Sequence, residues 1–328
     1  MKKIILATGL LLVALAVISL SCKNKPKTTF ISIGTGGTGG VYYPFGGGLA
    51  EIWSQHVPNI KAVAEVTAAS VENVKLAHKG ETVIGEIMGD VAYQAFHGKG
   101  KFEQDGPQNI LVLAAMYPNI LHIVTLQKSG VEKLGQLEGK IVSTGAPGSG
   151  TAFMSDLVLE ALEIPQEKLK IRRLSFVESA NAIRDHTINV GVWCVAPPTS
   201  SIMDLATTRD IRIIPFTPEE QKKVCEKYPF YSDYTISRGI YRGVDEPVPT
   251  ISVWNVIICK ADLDEELVYN LTKVLFEQNE YMQQIHPFAR YTTMENTVKH
   301  SPVPLHPGTI KYLKEKGISI PDNLIPGT

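Results

Sequence analysis

Seven consecutive residues, Gly34-Thr35-Gly36-Gly37-Thr38-Gly39-Gly40, hold five glycines directly after a short apolar stretch. They contain G-x-G-x-x-G at Gly34, Gly36 and Gly39, between a predicted strand (Phe30 to Gly34) and a predicted helix (Val41 to Gln55). That is the spacing and context of a dinucleotide fingerprint, with Glu65 in the place of its acidic partner. Tyr42-Tyr43-Pro44 crowds the helix start, however, where that fingerprint needs close packing. A phosphate-binding P-loop is excluded, because Gly40 and Val41 stand where its Lys and Ser/Thr belong. What remains is general physics. Such a loop exposes backbone N–H groups at a helix N-terminus, where the dipole favours an anion, and Thr35 and Thr38 add hydroxyls.

A second loop, Gly145 to Thr151, repeats the logic: Ser149, Gly150 and Thr151 open a predicted helix that runs to about Leu162. An ordinary capped helix start is the competing reading. A nucleophile elbow is excluded by Pro147, where G-x-S-x-G requires glycine. Three smaller groups fall at ends of predicted strands: Thr67-Ala-Ala-Ser70 with Asn73, Asp90, and Trp193-Cys194. Asp90 also reads as a helix N-cap, and Trp193 as core. The eight His are scattered, with no H-E-x-x-H and no Cys/His metal spacing, so no catalytic set and no metal or cofactor is assigned.

Strand-like and helix-like stretches alternate, which predicts an α/β architecture. Further strands are expected at Lys61 to Thr67, Thr82 to Met88, Ile110 to Met116, Leu121 to Leu126, Ile141 to Ser143, Ile171 to Leu174, Val190 to Val195 and Ile251 to Cys259. Further helices are expected at Ser70 to His78 (stopped by Gly80), Val91 to Phe96, Ser179 to Arg184, Asp264 to Gln284 and Thr309 to Lys316. Pro118 and Asn119 are read as a crossover between lobes, and the proline-rich stretch Thr217 to Val248 as an elaborated connection. The division is then 30–118 for the first part of lobe 1, 119–248 for lobe 2 and 249–328 for the return to lobe 1. Each lobe opens with a glycine loop at a strand's C-terminal end, where ligands of such sheets sit.

The N-terminus predicts export. Lys2 and Lys3 precede the apolar run Ile4 to Leu20, and Ser19-Leu20-Ser21-Cys22 resembles a lipobox, so 1–22 reads as a lipoprotein-type signal with Cys22 lipidated. Residues 23–29 read as a polar tether. Removing Lys2 and Lys3 with the signal takes the formal net charge from -1 to -3, and no Lys/Arg run forms a stripe, so nucleic acid is not an expected partner. Cys194, Cys225 and Cys259 then remain, enough for one disulfide at most.

Four stretches together resemble the TAXI family, the solute-binding subunits of one branch of TRAP transporters. They are Ile33 to Pro44, Thr67 to Asn73, Gly145 to Thr151 and Pro304 to Gly308. The resemblance runs from about Phe30 to Gly317. It implies a type II periplasmic-binding-protein fold, two α/β lobes with a ligand cleft and hinge crossover strands. It implies no enzymatic activity and no cofactor, but capture of a small anionic solute (glutamate, 2-oxoglutarate or a similar dicarboxylate) for a TRAP-type membrane transporter. The candidate ligand-binding set is Thr35, Gly36, Gly37, Thr38, Gly39, Tyr42, Tyr43, Ser70, Asn73, Asp90, Ser149, Gly150, Thr151, Trp193 and Cys194. Cys194 to Thr199 and Arg184 to Val190 depart from the family pattern, which bears on the choice of solute. A lipid-anchored monomer at the periplasmic or cell-surface side of a membrane is expected. The alternative is an exported ligand-sensing domain or enzyme on the same fold.

Overall fold

The computed structural model describes residues 28–327, so the signal segment 1–22, Cys22 and the tether as far as residue 27 lie outside the described residues. The tether's last residue, Thr29, already opens a strand, β1 (Thr29–Gly34). Strand β1 pairs in parallel with β2 (Ile60–Glu65) and β3 (Ile84–Met88). Between them run helices α1 (Tyr42–His56) and α2 (Ser70–Lys79), and α3 (Gly89–His97) follows β3. Gly80 stops α2 with φ 74°, the left-handed conformation that glycine takes without strain.

Strand β4 (Ile110–Leu126) runs unbroken for 17 residues and is buried along nearly its whole length. The two strands expected from sequence are therefore one, and Pro118-Asn119 is not a break. Pro118 sits opposite Trp254, beside a register shift in the pairing with β10 (Val248–Lys260), and irregularities of that kind are where a strand accommodates proline. Beyond that point β4 pairs with β7 (Val190–Val195), and β7 pairs in parallel with β5 (Ile141–Ser143), itself parallel to β6 (Lys170–Arg172). The sheet order is β2-β1-β3-β10-β4-β7-β5-β6. Two parallel sets are thus joined by the antiparallel pair β4 and β10.

Helices α4 (Gly150–Ala161), α5 (Phe176–Arg184) and α6 (Ser200–Thr208) flank the second set. Strand β8 (Ile211–Ile213) adds to β4. The stretch read as an elaborated connection, Thr217 to Val248, holds helix α7 (Pro218–Lys227) and strand β9 (Tyr231–Ile236), which pairs with β10. Pro218 is the reason for that misreading, yet at the first turn it favours a helix, and Thr217 with Glu220 completes a capping box. The long helix expected from Asp264 divides at Gln278 into α8 (Glu265–Glu277) and α9 (Asn279–Ile285). Helices α10 (Met294–His300) and α11 (Pro307–Glu315) close the chain. Among the described residues no helix is long and apolar enough to cross a membrane.

Apolar side chains bury against both faces of the sheet. In β7, Trp193 and Val195 join one core, while Val190, Val192 and Cys194 join the other, the period-two alternation of a strand covered on both sides.

Candidate functional site

A cavity of about 590 Å³ lies beyond the C-terminal ends of β1, β3, β5 and β7. That is within the usual range for a small-molecule site, at the place where such sheets bind ligands. Its floor is buried: Tyr42, Ser70, Met88, Ser149, Gly150, Thr151 and Val195. Its mouth is open, with Gly37, Thr38, Val66, Val177 and Glu178 exposed.

The first glycine loop is held from behind by Asn73. Its side-chain amide donates to Gly34 O (3.0 Å), Thr35 O (2.7 Å) and Glu86 O (2.8 Å), and its Oδ1 accepts from Thr67 Oγ1 (2.6 Å). Thr35 Oγ1 donates to Glu65 O at 2.6 Å. None of the glycines from 34 to 40 has positive φ. Close approach, not conformational freedom, demands Gly34 and Gly39, whereas a Cβ on Gly37 would meet nothing within 4 Å. A Cβ on Gly34 would meet Asn73 Oδ1 at 2.7 Å, and one on Gly39 would meet Val177 Cγ2 at 2.6 Å. The backbone N–H groups of Gly36, Gly37, Thr38 and Gly39 donate to no group among the described residues.

The second loop does need left-handed backbone, at Gly145 (φ 99°) and Gly148 (φ 80°). Ser149 caps α4: its Oγ accepts from Ala152 N–H at 3.0 Å and donates to Ala146 O at 2.7 Å. The N–H groups of Gly150 and Thr151 have no acceptor among the described residues. Thr151 Oγ1 accepts from Cys194 N–H at 3.3 Å, which leaves its own proton to donate. Two sets of unengaged N–H donors, each at or just before a helix N-terminus, therefore border one cavity.

Of the candidate positions, Gly36, Gly37, Thr38, Gly39, Tyr42, Ser70, Ser149, Gly150 and Thr151 line the cavity. Ser70 is the first residue of α2 and not its cap; its Oγ accepts from Met88 N–H at 3.1 Å. Tyr42 donates its hydroxyl proton to Asn255 Oδ1 at 2.7 Å.

Six expected positions lie elsewhere. Thr35 and Asn73 are fully buried struts behind the loop. Tyr43 points outward from α1, because the helix turns about 100° per residue between it and Tyr42. Asp90 is fully buried in α3; Oδ1 accepts from Val91 N–H at 2.8 Å and Oδ2 from the Tyr231 hydroxyl at 2.7 Å. Burial pushes its carboxyl up to about 6, against the lowering effect of those bonds. Cys194 is buried in the core that Val190 and Val192 join and does not line the cavity, and burial pushes its thiol up. Trp193 is core as well, and its Nε1–H donates to Ser201 Oγ at 3.1 Å.

Sequence reasoning missed the wall made by the start of α5 and the contact that the start of α6 makes with Gly39. Phe176 lines the cavity and stacks on Trp193 at 6.0 Å between centroids. Ser175 and Glu178 form the capping box that places it, a signal readable as S-x-x-E. Thr199 Oγ1, Ser200 Oγ and Ser201 Oγ all donate to Gly39 O, at 3.1, 3.4 and 2.8 Å.

A sheet of two parallel sets joined by antiparallel strands, with a cleft at the strand ends, is the α/β fold of periplasmic binding-protein structures. The chain belongs to the NMT1-like family, whose model matches residues 33–317. It is similar in fold to a putative L-cystine ABC transporter from Listeria monocytogenes, at 12% identity and TM-score 0.50 over 81% of this chain and 99% of that one. A protein from Bordetella bronchiseptica RB50 is similar at 16% identity and TM-score 0.53, over 91% and 85% of the two chains. The periplasmic aliphatic sulphonate binding protein from Escherichia coli matches at 10% identity and TM-score 0.45, over 89% and 91%.

Proposed function

We propose that the protein is an extracytoplasmic solute-binding protein that captures a small anionic solute between the two glycine loops. One observation carries this reading. The unengaged N–H groups of Thr38 and Gly39 on one side, and of Gly150 and Thr151 on the other, border the same cavity. Backbone donors at helix N-termini are a general device for anions. The role is binding without turnover, in a monomer anchored through Cys22 at the outer side of a membrane. The two lobes move about the long strands β4 and β10 as the hinge, and the solute stabilises the closed form.

The resemblance to the TAXI family adds the partner, a TRAP-type secondary transporter driven by an ion gradient. It also adds the first compounds to try: glutamate, 2-oxoglutarate and C4 dicarboxylates. Native mass spectrometry of the purified protein, with extraction of any retained solute, tests the binding role. An anion recovered unchanged supports it; a neutral or cationic solute, or a chemically altered one, sinks it. Uptake into vesicles with the membrane subunit tests the partner. A requirement for ATP would move the protein to an ABC system.

A further inference from the structure

The anion seat occupies only part of the cavity, and most of the remaining wall is apolar. Val41 and Met88 contribute from one side, Phe176, Val177 and Val195 from the other, and Val66 at the mouth. Phe176 is held flat by its stack on the buried Trp193 ring, 29° from parallel. Two of the site's hydroxyls already give their protons to the protein, Ser149 to Ala146 O and Tyr42 to Asn255 Oδ1, while Ser70 Oγ accepts from Met88 N–H. Glu178 is the one charged side chain among the described residues that line this cavity. It stands exposed at the mouth, and its Oε2 accepts from Ser175 N–H at 2.8 Å. That bond holds its carboxyl below the usual range, so it is ionised at neutral pH.

The nearby cations face another way. Lys101 and Arg173 border a separate cavity of about 280 Å³ across the Pro147-Gly148-Ser149 turn. There both pair with Asp156, at 3.4 and 2.7 Å.

Neutral N–H donors can hold one anionic head. A second carboxylate on the same small solute would sit against apolar side chains, where an unpaired charge is strongly disfavoured, or would approach ionised Glu178. A methyl or aryl group in that place would gain from the same wall. We infer that this cleft is built for a monoanion with an apolar body, an alkyl or aryl monocarboxylate, and discriminates against dicarboxylates. The inference rests on the anion-seat reading proposed above, narrows it, and departs from the dicarboxylates that the family resemblance suggests.

Calorimetry on the mature protein, stripped of retained solute, separates the two. The probes are the straight-chain monocarboxylates from butanoate to octanoate, each paired with the dicarboxylate and the primary alcohol of the same length. Glutamate and 2-oxoglutarate complete the set. The best monocarboxylate binds at least about tenfold tighter than its dicarboxylate, a difference of about 1.4 kcal/mol. It also binds tighter than its alcohol. A dicarboxylate that equals or beats it overturns the inference and leaves the anion seat standing. An alcohol that binds as well as the acid, or no binding by any acid, overturns the anion seat itself. Glu178→Gln narrows the ratio of mono- to dicarboxylate affinity about threefold by removing a like charge. An unchanged ratio overturns the part assigned to Glu178.

Discussion

The hydroxyl of Ser201 donates to the carbonyl of Gly39 across 2.8 Å, joining residues 162 positions apart. Ser201 is held in turn by the indole N–H of Trp193. The second glycine loop mirrors this arrangement. Gly148 O accepts from the N–H groups of Val71 and Glu72, at 3.1 and 3.2 Å. Each loop thus gives a carbonyl to the start of a helix from the opposite side of the cavity. The loops that offer N–H groups to a solute are the same ones that tie the two sides together.

Gly39→Ala places a methyl group 2.6 Å from Val177 Cγ2 and 3.3 Å from Ser201 Cβ. The approach of the two sides is blocked, while the loop can shift in the open form. The expected result is a loss of solute affinity of about tenfold or more, with the melting temperature of the solute-free protein little changed. Calorimetry and thermal melts check both halves. Ser201→Ala removes the strongest of the three bonds to Gly39, so solute dissociation speeds up several-fold in stopped-flow while association is nearly unchanged.

Asn73→Ala acts on the fold itself. It removes three amide bonds and leaves the carbonyls of Gly34, Thr35 and Glu86 and the Thr67 hydroxyl without that partner. A loss of about 3 kcal/mol of stability is expected, read as a lower denaturant midpoint with an unchanged slope.

Asp90 makes stability depend on pH. Its folded carboxyl lies at about 6, above the ordinary 3.8, so the fold favours the protonated form. That contribution is fully present below about pH 4 and is lost as the pH rises through about 6; it amounts to about 3 kcal/mol across that window. Asp90→Asn keeps a neutral group there and flattens the profile between those values. Urea titrations of both proteins at a series of pH values check this. Glu86, fully buried with both carboxyl oxygens unpartnered among the described residues, is shifted in the same direction and leaves a residual slope in the variant.

Cys194, Cys225 and Cys259 are all free thiols. Cys194 and Cys259 are buried, and burial pushes both thiols up; Cys225 is half-buried. A thiol-directed reagent at pH 8 should label Cys225 in the native protein and all three after denaturation. Rapid native labelling of Cys194 would show that the β7 strand end opens to solvent.

What could be read from the chain alone was whatever local rules settle. Glycines between a strand and a helix, Ser149 before an apolar helix and the apolar run of β7 are decided by residues within one turn or one pleat of each other. Thr217 to Ile236 was misread because Pro218 carries two meanings, a breaker within a helix and a favoured residue at its first turn. Which side chains reach the cavity was beyond local rules. Asp90 and Met88 are two residues apart, yet Met88 meets the cavity and Asp90 turns to Tyr231, 141 residues away. Tyr42 lines the cavity and Tyr43 does not, because one helical step separates core from solvent. The glycine spacing by itself determined that a loop rich in donors would open α1. Only the long-range packing of α5 and α6 against Gly39 and Gly40 decided what that loop faces, because contacts between distant segments follow from how the whole sheet pairs.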